Sequence, residues 1–397
     1  MKKLLVAVLA CALFAPAFAV ENVKITGDVQ TIGLRLEDNN VPGLMDLRGA
    51  TTRVMLGIGV DLVEDVYAKI TLMDKHSVGI TDVNGVTINA LQNRVKVLEG
   101  YVNISNVFDA LEVKVGRQFY GDEKSAVIYF GPDYGYAVSN TAFSVDGATV
   151  TYNGDNLTAT AAYFALDDGG ASLRPTATPT HTDEKLAGLD LGYKFNEELS
   201  ASAYVYDIRK YRANSFGFWG VKPTYESDNL KLGAEFARNY GAHDKGWLVK
   251  ADAALPVELD DTTLTPRVTY LKTEKGFEAY GNYRPGLMFG TIYGNINGRL
   301  SVAGMSASPT NQYLDVRWEV INAGLCLKFA GLEKWGFGLD FYTAEMNNHF
   351  LGNSWEAKAV YNHNQYVALH LTGAVLTNRR HFTASPTAIQ LGMSVKF

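Results

Sequence analysis

The sequence predicts an all-β fold, a transmembrane antiparallel β-barrel of about eighteen strands with short turns on one side and long loops on the other. Three observations predict it. The chain opens with a cleavable export segment. The remainder runs in segments of about ten residues that alternate apolar with polar or small side chains. The final segment ends on an aromatic residue, Phe397.

The export segment has the three parts such segments need. Lys2 and Lys3 form a basic start, Leu4 to Phe14 is apolar, and Ala17-Phe18-Ala19 places small residues where a signal peptidase reads them. Residues 1–19 are therefore expected to be cleaved, leaving one domain over 20–397. The apolar run is too short for a membrane anchor. Cys11 lies inside it with more apolar sequence following, which argues against lipidation. Removing the segment leaves Cys326 as the single cysteine, so no internal disulfide forms.

Composition narrows the function classes. The formal charge of −6 offers no basic face for a nucleic acid. Mean hydropathy of −0.06, with no helix-length apolar run after the leader, excludes a helical membrane protein. A barrel fits both, because alternating strands average to neutral.

Alternation is clear in several segments. Trp247, Val249, Ala251 and Ala253 alternate with Lys250 and Asp252. Leu314, Val316, Trp318 and Val320 alternate with Asp315, Arg317 and Glu319, and Trp355, Ala357, Ala359 and Tyr361 with Glu356 and Lys358. The apolar set is expected to face lipid and the polar set a wet lumen. A soluble sandwich would show the same rhythm, but not the same connections. Strands are expected near 23–35, 50–63, 66–74, 93–104, 110–118, 141–152, 157–167, 185–196, 199–208, 215–226, 230–240, 246–256, 263–272, 312–329, 335–345, 354–363, 365–377 and 387–397. Links after even-numbered strands are tight, such as Glu64-Asp65, Glu197-Glu198 and Asn364, while Lys75–Gln92, Phe119–Asn140 and Thr273–Asn311 follow odd-numbered ones. Segregated loop lengths are the habit of an outer-membrane barrel, with the termini and short turns periplasmic. Tyr101, Tyr152, Tyr193, Phe195, Trp335, Tyr361 and Phe397 fall near strand ends, where an interfacial aromatic belt is expected.

Two resemblances add to this reading. The last strand, with Gln390, Gly392, Val395 and Phe397, resembles the C-terminal insertion signal of bacterial outer-membrane proteins. Ala110 to Gln118, ending Gly116-Arg117-Gln118, followed by Tyr120-Gly121-Asp122-Glu123 and by Asp146-Gly147-Ala148, resembles the alginate-export family of porins over about forty residues. That resemblance implies an eighteen-stranded barrel passing an anionic polysaccharide through a charged lumen.

Strand parity nominates the lumen charges. The basic candidates are Arg53, Lys69, Arg94, Lys96, Lys114, Arg267, Arg317 and Lys358. The acidic ones are Asp61, Glu112, Asp146, Asp252, Asp315, Glu319 and Glu356. Opposing walls of unlike charge filter ions. Arg117 shares parity with Val113 and Val115 and is expected toward lipid at the strand's outer end, or turned inward by a bulge. The loop Phe119–Asn140 carries Tyr129, Tyr134 and Tyr136, and with Thr273–Asn311 it is expected to fold inward and narrow the passage.

Seven histidines are scattered, without a His-Glu-x-x-His, Gly-x-Ser-x-Gly or phosphate-loop pattern. Asp167-Asp168 and the Asp82/Asn84 pair lack the dense oxygen spacing of a calcium loop. No cofactor or metal is expected. The expected function is passive diffusion of hydrophilic solutes across an outer membrane, anionic oligosaccharides among them, and not catalysis. A barrel enzyme and an adhesive surface barrel are the rivals. A count near eighteen leaves an aqueous path, whereas eight to twelve strands fill their own interior. The expected partners are membrane lipid, the barrel-assembly machinery and small solutes, with the chain a monomer or a trimer.

Overall fold

Each strand bonds the next and the last bonds the first. In a computed structural model, residues 21–37, 47–78, 95–123, 125–132, 142–166, 184–209, 215–241, 246–277, 279–281, 283, 286–293, 317–377 and 385–397 are described. Among them the closed 18-strand antiparallel barrel is built from β1 (Glu21–Glu37), β2 (Leu47–Val63), β3 (Val66–Val78), β4 (Lys96–Val107), β5 (Leu111–Gln118) and β6 (Val145–Asn153). It continues through β7 (Leu157–Ala165), β8 (Lys185–Lys194), β9 (Leu199–Arg209), β10 (Phe216–Glu226), β11 (Lys231–Gly241) and β12 (Trp247–Ala254, resumed at Val257–Leu259). It ends with β13 (Thr262–Thr273), β14 (Trp318–Phe329), β15 (Trp335–Met346), β16 (His349–Asn362), β17 (Val367–Thr377) and β18 (Thr387–Lys396). A short helix, α1 (Gly286–Tyr293), lies between β13 and β14.

The seam is β1 against β18, in register from Asp28↔Lys396 to Glu37↔Thr387. Beyond the ladder, Gly27 N–H donates to the Phe397 carbonyl at 2.7 Å and Phe397 N–H to the Gly27 carbonyl at 3.0 Å. The phenyl ring of Phe397 covers Gly27, where a Cβ would collide with it. Gln390 is buried on the inner face, while Val395 and Phe397 share the outer parity of Ile389 and Leu391.

One rim carries both ends of the barrel and the tight turns, including Glu64-Asp65, where Asp65 has φ 62°. The long connections leave the opposite rim. There is one departure from expectation. β15 and β16 join at that opposite rim through Asn347-Asn348, with φ 54° and 62°, in place of a link over 346–353. Two positive-φ residues make a turn whose twist matches the strands, and asparagine tolerates it.

The outer wall is apolar through its middle: Leu189, Leu191, Val205, Val221, Leu339 and Leu371 are all exposed. Toward the tight-turn rim it gains an aromatic belt. Trp335 stacks on Phe337 and tilts against Tyr361, and Tyr193 meets Phe195 edge-on. Tyr101 does not join this belt. It opposes Lys69 in register and lies under the Lys114 ammonium at 5.0 Å, on the lumen side.

Near the long-loop rim the polarity of the wall inverts. Leu36, Leu186, Ile208, Phe216, Phe218, Leu248, Leu271, Val320 and Leu376 point inward and are almost wholly buried. They pack against segments folded into the barrel: Ala126, Val127, Ile128 and Phe130 after β5, and Tyr280, Leu287, Met288 and Phe289 after β13. Each such Phe or Leu is worth about 1.5–3 kcal/mol of burial. β14 is therefore reversed from expectation, with Trp318 and Val320 inward and Glu319 on the outer face beside the exposed Ile321.

Two predictions follow from this wall. After Cys326→Ser, a cysteine at Asp252 should react with a water-soluble maleimide in intact membranes and one at Val249 should not; the opposite pattern would reverse the assignment of β12. Deleting Phe397 removes both seam bonds and the ring over Gly27, so pulse-labelled protein should reach the heat-resistant barrel form several-fold more slowly. Assembly at an unchanged rate would remove the role assigned to that residue.

Candidate functional site, the lumen and its inner plug

The segment after β5 crosses the lumen to the β8–β11 wall. It is shaped by a small hairpin in which Tyr120-Gly121 pairs with Tyr129-Phe130. The Tyr120 and Tyr206 hydroxyls both donate to Asp190, and they sit 2.9 Å from each other. Glu235, 3% exposed, accepts from the Ser125 hydroxyl at 2.7 Å, the Ala126 N–H at 3.0 Å and the Tyr204 hydroxyl at 3.0 Å. Lys222 pairs with Asp122. A buried carboxylate is costly unless donors surround it, and Asp190 and Glu235 find theirs partly on the wall, at Tyr206 and Tyr204, and partly on the incoming segment.

The segment after β13 is held at three points. At its base Arg317 grips Glu274 through Nη2, 2.6 Å from each carboxylate oxygen. Arg317 lowers the Glu274 carboxyl from its usual range, chiefly by this hydrogen bonding. At its middle, Tyr280 N–H donates to the Val127 carbonyl at 2.7 Å and Tyr129 N–H to the Tyr280 carbonyl at 3.1 Å, so the two segments are tied together. At its end, Met288 N–H donates to Glu356 Oε1 at 3.2 Å, which puts a wall carboxylate at the N-terminus of α1, where free N–H groups favour negative charge. Gly286 makes this approach with φ 67°; any side chain there would run into Glu356 and Tyr342.

Two groups of charges line the lumen on sides well separated in strand order. On β1–β6, Arg53 reaches Asp28 at 3.4 Å, and Glu99 takes Lys69 at 2.7 Å and the Thr71 hydroxyl at 2.7 Å. Lys114 rests on Tyr101 and has no carboxylate partner among the described residues. On β12–β16, Asp340 is fully buried and binds Arg267 and Lys358, each at 2.8 Å, with Lys358 3.5 Å from Glu356. Lys250 lies 3.5 Å from Asp252 and 5.9 Å from the Tyr283 ring. A cavity of about 690 Å³ opens beside the first group, lined by Asp28, Lys69, Glu99, Lys114, Gln118 and Tyr129.

Of the nominated charges, Arg53, Lys69, Lys114, Arg267 and Lys358 turn inward. Glu112 opposes Thr151, which lines the same cavity, and shares the parity of Lys114. Lys96, exposed, opposes the inward Met73 at the rim. Arg94 and Asp315 lie outside the described residues. Three nominations need correction. Asp146 shares the outer parity of Val150 and Tyr152 and binds Arg117, Nε to Oδ1 at 2.7 Å. Glu319 binds Lys272 at 2.7 Å and the Tyr270 hydroxyl at 3.0 Å on the outer face. Arg317 precedes the β14 ladder and clips the loop base. The cause is common to all three: the inner face at this rim is apolar because the plug covers it, so the charges take the outer face.

The parity rule also applies to residues that were not nominated. Asp190, Glu235 and Asp340 each sit singly between apolar neighbours, as in Leu339-Asp340-Phe341, and the polar member of each alternation would have flagged them.

No family model and no curated protein matches the chain. Solved structures match over 95–97% of its length. A BenF-like porin from Pseudomonas fluorescens Pf-5 aligns with TM-score 0.60 at 12% identity, covering 96% of this chain and 100% of the other. The outer-membrane protein opdK of Pseudomonas aeruginosa aligns with TM-score 0.61 at 14% identity over 95% and 99%. OccAB1 of Acinetobacter baumannii aligns with TM-score 0.62 at 12% identity over 97% and 98%. The chain thus has the fold of bacterial outer-membrane porins.

Glu235→Ala strands three buried donors, a loss of about 1–3 kcal/mol for an unsatisfied buried group. The expected outcome is a lower unfolding midpoint and larger, noisier single-channel steps. Steps and midpoint identical to the parent would show that Glu235 does not hold the segment. The Glu274 clip adds a pH dependence. A lowered carboxyl pKa contributes above the ordinary value of 4.5 and is lost as pH falls through the lowered one. Current noise should therefore rise only once the pH has fallen below the ordinary carboxylate range, and Glu274→Gln should show that noise already at pH 6.

Proposed function

We propose that the protein is an outer-membrane channel for passive diffusion of small hydrophilic solutes, exported by cleavage after Ala19 and inserted with its termini periplasmic. The carrying observation is a ring of 18 strands whose lumen holds charges of both signs and is narrowed by two wall-anchored segments. A ring of this size cannot fill itself with wall side chains, so the passage is set by what folds into it. The same strand number speaks against a barrel enzyme, whose smaller ring fills its own interior.

The plug favours small solutes over polymers. The resemblance to alginate-export barrels falls on residues that build the wall: Arg117 and Asp146 form its outer ion pair, and a Cβ at Gly116 would collide with the Gly100 carbonyl. It supplies no contact for a sugar acid. One of the similar structures, OpdK of Pseudomonas aeruginosa, is solved with vanillate, which makes a small aromatic acid the first probe to try here.

Planar-bilayer recording tests the reading. The full chain should give discrete ohmic steps, and a lumen that never conducts would overturn the channel assignment. Lys114 is the cation of the first charge group with no carboxylate beside it among the described residues, so it acts on passing ions most directly. Lys114→Gln should move the reversal potential toward cation preference, with an effect that shrinks in 1 M salt, where charges are screened beyond about 3 Å. An unchanged reversal potential at low salt would remove Lys114 from the filter.

A further inference from the structure

The outer wall near the long-loop rim is charged, and in most of its sectors the charges are matched. Arg35 pairs with Glu37, Arg117 with Asp146, Lys272 with Glu319 and Arg317 with Glu274. The sector from β8 to β11 is different. Lys185 opens β8 and opposes Arg209 at the end of β9. Arg238, on β11, opposes Trp219 on one side and Trp247 on the other.

All three cations lie on the outer face. Their strand neighbours Leu186, Ile208 and Ala237 point inward and are fully buried, so alternation turns Lys185, Arg209 and Arg238 outward. The Arg209 side chain is 79% exposed. Among the described residues, Lys185 and Arg238 have no carboxylate, hydrogen-bond or ring partner. Asp207, the one described carboxylate on the outer face here, is taken by Arg209 at 3.0 Å. Around them stand outward aromatics: Tyr163 and Trp219 are exposed, and Trp219 packs edge-on against Phe236. From β8 to β11 is three strand spacings, about 14 Å.

An aromatic belt marks the height of the membrane interface. Basic side chains at that height reach for head groups, and a pair with no carboxylate beside it among the described residues, next to matched neighbours, directs positive charge toward the lipid. We propose that this sector, centred on Lys185 and Arg238 with Arg209 between them, is a docking site for the net-negative, phosphate-monoester head group of a membrane lipid, which the zwitterionic phosphocholine head group does not match. Lys185 and Arg238 contact the phosphates, and the aromatic rings cover the upper acyl chains. With the termini periplasmic this is the outer leaflet; that placement rests on the proposed function, but the site itself does not.

The test is native mass spectrometry of the folded full chain mixed with diphosphoryl lipid A or with phosphatidylcholine. The parent should retain lipid A and shed phosphatidylcholine at equal concentration. The double variant Lys185→Gln/Arg238→Gln should retain lipid A about thirty-fold less, from two basic contacts at an anionic surface. Lys194→Gln/Lys231→Gln, at the opposite rim, should behave as the parent. Heat-modifiable mobility on gels establishes that each variant is a folded barrel. Equal retention by the β8–β11 double variant overturns the proposal, as does equal retention of phosphatidylcholine. Displacement of lipid A by millimolar inorganic phosphate would assign the cations to a free anion and also overturns it. A channel that fails to conduct in bilayers leaves this measurement unaffected, so the two readings fail separately.

Discussion

A strand bordering hydrocarbon has no water to satisfy its free edge, so every backbone N–H and C=O must be bonded within the protein and the sheet has to close on itself. Here closure falls on β1 and β18, ending with the paired bonds between Gly27 and Phe397. The rest of the structure depends on that seam. Closing 18 strands encloses a lumen wider than wall side chains can fill. The enclosed space is then free to take segments from the long-loop rim. Those segments bring apolar residues with them, and the wall facing them becomes apolar in turn.

This cascade explains what the sequence made legible. Strand existence, order and the segregation of turns from loops are local properties, written in the two-residue rhythm and in turn residues such as Glu64-Asp65. They were readable without the fold. Lumen charges were readable where the lumen is wet, as at Lys69, Lys114, Arg267 and Lys358. Alternation gives two faces but not which one is inner. The rule that apolar means lipid fails where protein fills the lumen, and it failed at Asp146, Arg317 and Glu319. Tyr101 misled for a related reason: its ring serves as a face for the Lys114 ammonium, a cross-strand contact that strand-end position does not reveal. The inward segments were foreseeable from their length alone, but their anchors lie on strands up to six places away in the ring.

Those anchors are carboxylates, and the choice has consequences. Apolar packing of Val127, Ile128, Phe289 and their neighbours supplies adhesion but little direction. Asp190, Glu235 and Glu356 supply direction, because each, oriented by a wall hydroxyl at Tyr206, Tyr204 or Ser354, accepts from a donor at a fixed place on a segment. A hydrogen bond to a charged group is worth about 1.5–3 kcal/mol and breaks as a unit when its donor moves. The passage is therefore held by a few replaceable contacts against a broad greasy seat. A segment so held has defined positions, and substitution at one anchor shifts the balance among them without dissolving the barrel.

The two faces of the wall also fix the height of the plug. A charge on the lipid face costs about 2–4 kcal/mol at mid-bilayer and about 0–1 at the interface. The pairs Arg117–Asp146 and Lys272–Glu319 stand on that face, so their rows lie at head-group height. The inward row between Lys272 and Glu319 and their strand neighbours, Leu271 and Val320, belongs to the apolar seat of the plug. The plug thus sits level with the head groups. Glu99, which precedes Gly100 opposite Arg117, stays level with the head-group row, and Asp28, Lys69 and the Asp340 group lie further along their strands toward the tight-turn rim, on the hydrocarbon side of it. There a low-dielectric wall surrounds a narrow aqueous space, and field lines from the lumen charges are focused along it. The constriction and the lumen charges nearer the tight-turn rim are consequently stacked: under the proposed channel function, a solute entering from the long-loop rim meets the constriction first and the charges of Lys69 and the Asp340 group after it.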